Sequence, residues 1–335
     1  MVRKIYTCLG NSFNPYENLA LEEVLLNHVP ENGCILYLWQ NQKTVVVGKN
    51  QNAWKECRVK ELEEDGGHLA RRLSGGGAVF HDLGNLNFTF LVNTDDYDLE
   101  KQLDVILYAV NSLGIKAEKS GRNDIITEDG RKFSGNAFYH NGGKSYHHGT
   151  LMMSVDKELV ARYLNVSKLK LSSKGVSSVK SRVVNLTELN PDITVESMNK
   201  ALFEAFESAY GLSSEEYILT QEEKDEVERL KERNASFEWR LGRKIAFDWK
   251  GEQRFKWGSA EIELKVESGI VQEAAVYSDA MDGDFLQDMA PLMVGRIFSA
   301  EKLADAVSAL SDKEIDVAHI RMINDIEEYI SSQEF

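Results

Sequence analysis

The sequence predicts an α+β protein: a mixed sheet with flanking helices, followed by a small α+β C-terminal domain. Three observations predict this. Strand-length apolar runs are mostly joined by short turn signals, which favours antiparallel or mixed pairing over an all-parallel sheet. Helical periodicities with start and stop signals recur between the runs. At 335 residues the chain exceeds one ordinary core, and its pattern changes at residues 245–252. The expected division is 1–247 and 248–335.

The first helix is signed by Asn14 as N-cap, Pro15 at the first helical position and Glu17 closing a capping box, with Leu21, Val24, Leu25 and His28 at helical spacing. Apolar runs at 34–39 and 44–48 flank Asn41-Gln42-Lys43 and read as a hairpin. A charged helix is expected over 54–65. Residues 78–81 and 87–92 read as paired strands around Asp82-Leu83-Gly84-Asn85. A helix over 99–113 stops at Gly114. Strands at 125–128 and 132–139 flank Asp129-Gly130, a favoured hairpin dipeptide, and Asn141-Gly142-Gly143 turns the chain into 145–154. Helices follow over 195–210, before Gly211, and over 222–233. Alternating strands at 255–257, 260–266 and 270–277, the last two joined by Ser268-Gly269, predict a small antiparallel sheet. Two amphipathic helices, 300–310 and 317–330, close the chain.

Composition removes several classes of function. The net charge of −15 disfavours a general nucleic-acid binder, which needs a basic surface. No apolar run approaches the roughly 18 residues of a membrane span, and no apolar signal core follows the N-terminal residues. A cytoplasmic protein is therefore expected. Three widely spaced cysteines, Cys8, Cys34 and Cys57, fit reduced thiols packed as small hydrophobes. No Cys-x-x-Cys or His-x-x-x-His spacing exists, so a structural zinc site is not expected.

The sharpest local feature is Ala70-Arg71-Arg72-Leu73-Ser74-Gly75-Gly76-Gly77-Ala78-Val79-Phe80-His81. Three glycines let backbone pass close to another object, and guanidinium forks pair with phosphate or carboxylate. The pattern suits a loop holding an anion against backbone N–H groups; a surface turn with two solvated arginines is the plainer alternative. Known nucleotide motifs fail. Gly143-Lys144-Ser145 has the tail of a P-loop, but Phe138 stands at its first glycine. Phe80 stands where a dinucleotide motif needs its last glycine. His147 and His148, adjacent on a strand, point to opposite faces and do not suit one metal.

Taken together, the blocks resemble the lipoate-protein ligase A family. The blocks are Arg71 through Asn85, Gly121-Arg122-Asn123-Asp124, Arg131-Lys132-Phe133-Ser134-Gly135-Asn136-Ala137, His147-His148-Gly149-Thr150-Leu151, and Lys174-Gly175-Val176-Ser177-Ser178-Val179 with Arg182-Val183-Val184-Asn185-Leu186. Asn52-Ala53-Trp54-Lys55-Glu56-Cys57 is similar too. The resemblance implies the biotin/lipoyl protein ligase-like fold, akin to class II aminoacyl-tRNA synthetases. It implies two half-reactions: lipoate and ATP, with Mg²⁺, give lipoyl-AMP and pyrophosphate, and the acyl group then passes to a lysine. The acceptors it implies are lipoyl domains of 2-oxoacid dehydrogenase complexes and the glycine-cleavage H protein.

Residue roles follow from the same resemblance. Lys132 is the expected catalytic residue, touching both lipoate and nucleotide. One ammonium on two mutually repulsive anions would screen them and stabilise charge building on the phosphoryl group; the plainer reading is a solvated strand lysine. Arg72 and the backbone of Gly77, Ala78, Val79 and Phe80 are expected to hold ATP, with Ser74, Asn123 and Asp124 in support. Asp124 either orients Lys132 or helps hold Mg²⁺. His148 is expected to line the lipoate cavity, with simple packing as the alternative, and Leu73, Val79 and Phe138 are candidate tunnel residues. Lys174, Gly175, Val176 and Arg182 belong to an expected lid, poorly ordered without ligand, that keeps water from the adenylate. The rival of the same fold is an octanoyl or lipoyl transferase with a cysteine nucleophile and no ATP, disfavoured because no cysteine follows Cys57. A non-catalytic adaptor for lipoyl domains and a biotin ligase are further alternatives.

Overall fold

The computed structural model describes residues 1–121, 124–165, 183–242, 246–312 and 316–333. They form two compact units: Met1–Val46, Cys57–Arg71 and Val79–Arg240 make the first, and Val47–Glu56, Arg72–Ala78 and Leu241–Phe335 the second.

The first unit begins with β1 (Lys4–Leu9), α1 (Pro15–Asn27) and β2 (Gly33–Trp39). β1 and β2 pair in parallel, so α1 is a crossover helix. Asn14 caps α1 by accepting from the Tyr16 amide at 2.9 Å. Glu17, expected to close a capping box, instead pairs with Lys231 at 3.0 Å. β3 (Thr44–Val47), β4 (His68–Arg71) and β5 (Val79–His81) form a small sheet in the order β4-β3-β5. The expected helix over 54–65 is two short helices: α2 (Ala53–Glu56), which belongs to the second unit, and α3 (Val59–Glu64) of the first, where Cys57 bridges to Leu164.

The main sheet continues with β6 (Asn85–Asn93), β7 (Ala117–Ser120), β8 (Asp124–Thr127), β9 (Lys132–Asn141), β10 (Lys144–Met152) and β11 (Ser214–Glu216). Its eight strands run β11-β1-β2-β6-β10-β9-β8-β7. The helices are α4 (Leu99–Ser112), α5 (Lys157–Tyr163), α6 (Leu186–Leu189), α7 (Val195–Tyr210), α8 (Gln221–Ala235) and α9 (Phe237–Leu241). α4 and α7 cover one face. There Leu36, Leu38, Phe88, Phe90, Ile125 and Phe133 meet Ile106, Val110, Leu202 and Phe206 in one buried core. The other face looks toward α1.

Two expected hairpins are corrected. β2 and β3 do not pair: β2 lies between β1 and β6, while β3 lies between β4 and β5. For the same reason 78–81 and 87–92 are not partners. All seven residues of β2 are buried, as are all four of β3. Strands covered on both faces take the neighbours that complete their burial, whatever short loop joins them. The hairpins with the strongest turn residues do form. Gly130 (φ +82°) turns β8 into β9, and Gly142 and Gly143 (φ +57° and +75°) turn β9 into β10.

In the second unit, β12 (Trp249–Arg254), β13 (Ser259–Glu267) and β14 (Ile270–Ser278) make an antiparallel sheet. Its core joins Ile262, Leu264 and Val276 to Met289 of α10 (Met289–Met293), Leu303 and Val307 of α11 (Ala300–Ser308), and Ile323 and Ile326 of α12 (Val317–Ser331). The glycine triplet belongs to this unit.

Candidate functional site

Lys132 owes its direction to an irregularity in the sheet. β8 and β9 pair Asp124 with Gly135 and Ile125 with Ser134, but the register then slips and Ile126 pairs with Lys132. Phe133 is the extra residue of this bulge and packs into the core under α4 and α7. In an unbroken strand, residues 132 and 135 would point to opposite faces. The bulge puts Lys132 on the same face as Gly135 and Asp124, a common use of bulges beside functional sites. The Lys132 Nζ then meets Asp124 Oδ1 at 2.6 Å, with both side chains 37% exposed and within reach of solute. The amine lies over Gly135, where a Cβ would stand 3.0 Å from Nζ. The Lys132 backbone is held as well: its carbonyl accepts from the Val184 amide at 2.9 Å, and Val183 bridges to it.

The same face continues across β10, β6 and β2. Asp124 lies opposite Gly135, the Gly135 amide donates to Thr150 Oγ1 at 3.4 Å, Thr150 lies opposite Asn87, and Asn87 opposite Trp39. Partners in antiparallel register share a face, so these residues form one row across the sheet. The next row carries Tyr37, Thr89 and His148. Here α1 closes over the sheet with buried polar residues. Glu22 Oε1 accepts from Thr89 Oγ1 at 2.7 Å and bonds His148 Nδ1 at 2.8 Å. Trp39 Nε1 donates to Thr89 Oγ1 at 3.1 Å. Tyr37 donates to Asn18 Oδ1 at 3.2 Å. His148 is therefore hydrogen-bonded rather than simply packed.

His147 takes the opposite face. It is fully buried, stacked on Phe90 with ring centroids 5.8 Å apart, and its Nε2 bonds Asn136 Oδ1 at 2.8 Å. Burial, and secondarily His148, push its pKa down to about 3. The expected opposition of the two histidines is what the strand provides. Phe138 stands with His147, at 5.3 Å, and so turns away from Lys132.

The glycine segment is described within the second unit alone. Arg72 is buried, and its guanidinium donates to Ser74 Oγ at 3.0 Å, to the Gly75 carbonyl at 2.7 Å and to the Gly77 carbonyl at 2.8 Å. Its fork shapes the loop. Gly75 meets the chain's own backbone: a Cβ would stand 2.4 Å from both the Ala280 and Met281 carbonyl oxygens. Gly76 has φ +90°, which an L side chain rarely adopts. Close approach, predicted for an anion, is realised here against protein backbone. Arg71 is also engaged, donating to the carbonyls of Trp239 and Arg240 at 3.0 and 2.9 Å. Val79 and Phe80 pair with Val46 and Val45 of β3.

Asn123 and the expected lid residues Lys174, Gly175, Val176 and Arg182 lie outside the described residues. Sequence reading missed Glu22, Thr89 and the bulge. Glu22 had one available signal: with Asn18 it places polar groups four residues apart on an otherwise apolar helix face.

Comparison with known proteins adds the family. The model of the lipoyl protein ligase A/B catalytic domain matches residues 14–207, and that of the bacterial lipoate protein ligase C-terminus matches residues 244–330. The chain is similar to LipL1 of P. falciparum, solved in complex with lipoate: 29% identity, TM-score 0.81, covering 98% of this chain and 100% of that one. It is also similar to a bipartite lipoate protein ligase of Thermoplasma acidophilum, solved in a study of that ligase and its E2 lipoyl domain: 25% identity, TM-score 0.65, covering 74% and 100%. A lipoate-protein ligase A bound with ATP shares the fold at 24% identity and TM-score 0.62, covering 72% and 99%. With more than half its length matched by the catalytic-domain model, and with the fold to accord, the chain belongs to the lipoyl protein ligase A/B family.

Proposed function

We propose that this chain is an ATP-dependent, AMP-forming lipoate-protein ligase. It activates free lipoate to lipoyl-AMP, releasing pyrophosphate, and transfers the lipoyl group to a lysine of a lipoyl domain in a 2-oxoacid dehydrogenase E2 subunit or of the glycine-cleavage H protein. The observation that carries this reading is the Lys132 amine, aimed by a bulge, tethered to Asp124 and still open to solute. A carboxylate and a triphosphate repel each other. A fixed ammonium that touches both lowers that repulsion and faces charge that grows in the transition state.

In this reading Lys132 is the catalytic residue and contacts both substrates, and His148 contributes to the lipoate site. Arg72, Gly77, Ala78, Val79 and Phe80 serve ATP, with Ser74 and Asn123 in support. Asp124 orients Lys132, which its ion pair supports. It is also the carboxylate that would hold Mg²⁺, a hard cation that takes one or two carboxylates plus substrate phosphates. Residues 1–247 are the catalytic domain and 248–335 the accessory domain; 174–182 contribute the lid. A lipoyl-domain acceptor is supported by the Thermoplasma ligase, studied with its E2 lipoyl domain. The cytoplasm is the proposed compartment; among the described residues no helix is long and apolar enough to cross a membrane.

The cysteines favour a ligase over a thioester-forming transferase. All three are buried, and burial pushes each thiol up to about 12. A nucleophilic cysteine needs the opposite shift. ATP–pyrophosphate exchange with lipoate, octanoate and biotin tests the reading: exchange is expected with the first two acids and not with biotin. Acyl transfer without ATP through a cysteine thioester would overturn it.

A further inference from the structure

The row of residues that passes through Gly135, beneath the Lys132 amine, contains a donor with no partner among the described residues. Asn87 is 1% exposed, and its Nδ2 has no hydrogen-bond acceptor among the described residues. Its carboxamide is nevertheless held: Asn85 Nδ2 donates to Asn87 Oδ1 at 2.9 Å, which fixes Oδ1 on that side and turns the N–H pair away from it. A buried amide donor without a partner costs about 1–3 kcal/mol, a cost that a bound acceptor would remove. Leucine at this position would cover the same area without that cost.

Its surroundings indicate the use. Asn87 shares the α1-facing side of the sheet with Thr89, two residues along β6, whose hydroxyl meets Glu22. It lies opposite Thr150 of β10, and Thr150 Oγ1 in turn meets the amide of Gly135, the residue under the Lys132 amine. Asn87 and Gly135 are thus two strand spacings apart, about 10 Å from backbone to backbone. The Asn87 donor and the Lys132 ammonium rise from the same face across that interval. Two donors so placed fit a single planar or tetrahedral oxyanion group between them.

We infer that Asn87 is a further catalytic residue, whose Nδ2–H donates to the substrate carboxyl oxygen that Lys132 does not hold. The inference rests on the ligase reading. In adenylation a carboxylate oxygen forms the bond to the α-phosphorus while the bond to the pyrophosphate oxygen breaks, and pyrophosphate leaves with that electron pair. The remaining carboxyl oxygen is the one Asn87 holds, which turns the attacking oxygen toward the α-phosphorus for in-line displacement. In the transfer step the acceptor amine adds to the same carbonyl carbon. That oxygen then becomes an oxyanion, which a preorganised amide donor stabilises; as the carbonyl re-forms, the bond to AMP breaks, AMP leaves with that electron pair, and the amine proton passes to solvent.

The test is lipoate-dependent ATP–pyrophosphate exchange by the full chain, comparing wild type, Asn87→Asp, Asn87→Ser and Lys132→Ala. Asn87→Asp keeps the shape and replaces the N–H donor with an acceptor; Asn87→Ser restores a smaller donor. Loss of one such donor costs about 10²–10³ in rate. The expected result is a fall of about 100-fold or more in kcat for Asn87→Asp, with the KM for ATP within threefold of wild type. In kcat, Asn87→Ser is expected to fall between Asn87→Asp and wild type; both variants are expected to melt below wild type, because Ser strands the buried Asn85 amide and Asp buries a carboxylate, so rates are compared well below every melt. Wild-type kcat in Asn87→Asp, or equal losses in the two variants at a temperature where both are fully folded, overturns the inference while the ligase reading stands. Absence of lipoate-dependent exchange in wild type overturns the reading itself, and the inference with it.

Discussion

The amine of Lys132 lies over Gly135, 3.0 Å from the point where a Cβ on that residue would stand. The two residues share a face only because Phe133 is the extra member of a bulge. Gly135 is therefore read as a seat for the lysine. An alanine there would push Nζ aside by a few tenths of an ångström. Misplacement by about 1 Å can cost about 100-fold in rate, so Gly135→Ala should lower kcat by about tenfold. Gly135 has no positive φ to lose, so stability should hold within about 0.5 kcal/mol. Steady-state kinetics beside a urea melt check both halves; unchanged kcat would contradict the seat.

Asp124 gives a parallel expectation. An ion pair this exposed contributes only about 0–1 kcal/mol to stability, and both of its partners are 37% exposed. Its value then lies in direction. Asp124→Asn should leave the melting temperature close to wild type and lower kcat by about 10- to 100-fold. A large loss of stability with intact turnover would make Asp124 a structural residue.

The sequence made visible what short-range chemistry dictates. Asp129-Gly130 and Gly142-Gly143 mark turns that only positive φ permits, and both hairpins form. The helix over 195–210 ends at Gly211, which adopts the left-handed conformation at φ +65°. Lys132 and Asp124, singled out from motifs, are in contact. Long-range pairing was not visible. β2 and β3 are buried on both sides, so no alternation marks which neighbour each takes. The bulge at Phe133 has no glycine or proline to announce it. The packing of Arg72 and Gly75 against the chain's own backbone was not visible either, because the loop that Arg72 shapes meets a segment distant in sequence, Ala280 and Met281.

His147 makes a pH prediction. Its pKa lies near 3 in the fold, lowered mainly by burial, against about 6.5 in an unfolded chain. The fold holds the neutral ring, and the unfolded chain takes up a proton first as pH falls. The stability linked to His147 is therefore present above about pH 6.5 and is lost progressively toward pH 3, by up to about 1.4 kcal/mol per unit. Urea melts at pH 7 and pH 5 should show wild type losing about 2 kcal/mol to this group. His147→Phe, which keeps the aromatic contacts with Phe90 and Phe138, should show a shallower loss. Identical slopes in the two proteins would contradict a neutral buried imidazole.

The central claim is that the Lys132 amine brings a carboxylate and ATP into bonding range. Lipoate-dependent ATP–pyrophosphate exchange in Lys132→Ala measures it most directly, because the assay reads adenylation without any acceptor protein. The account predicts robust exchange in wild type and a loss of about 1,000-fold or more in the variant, with its fold intact. A variant that exchanges at a rate near wild type would contradict it.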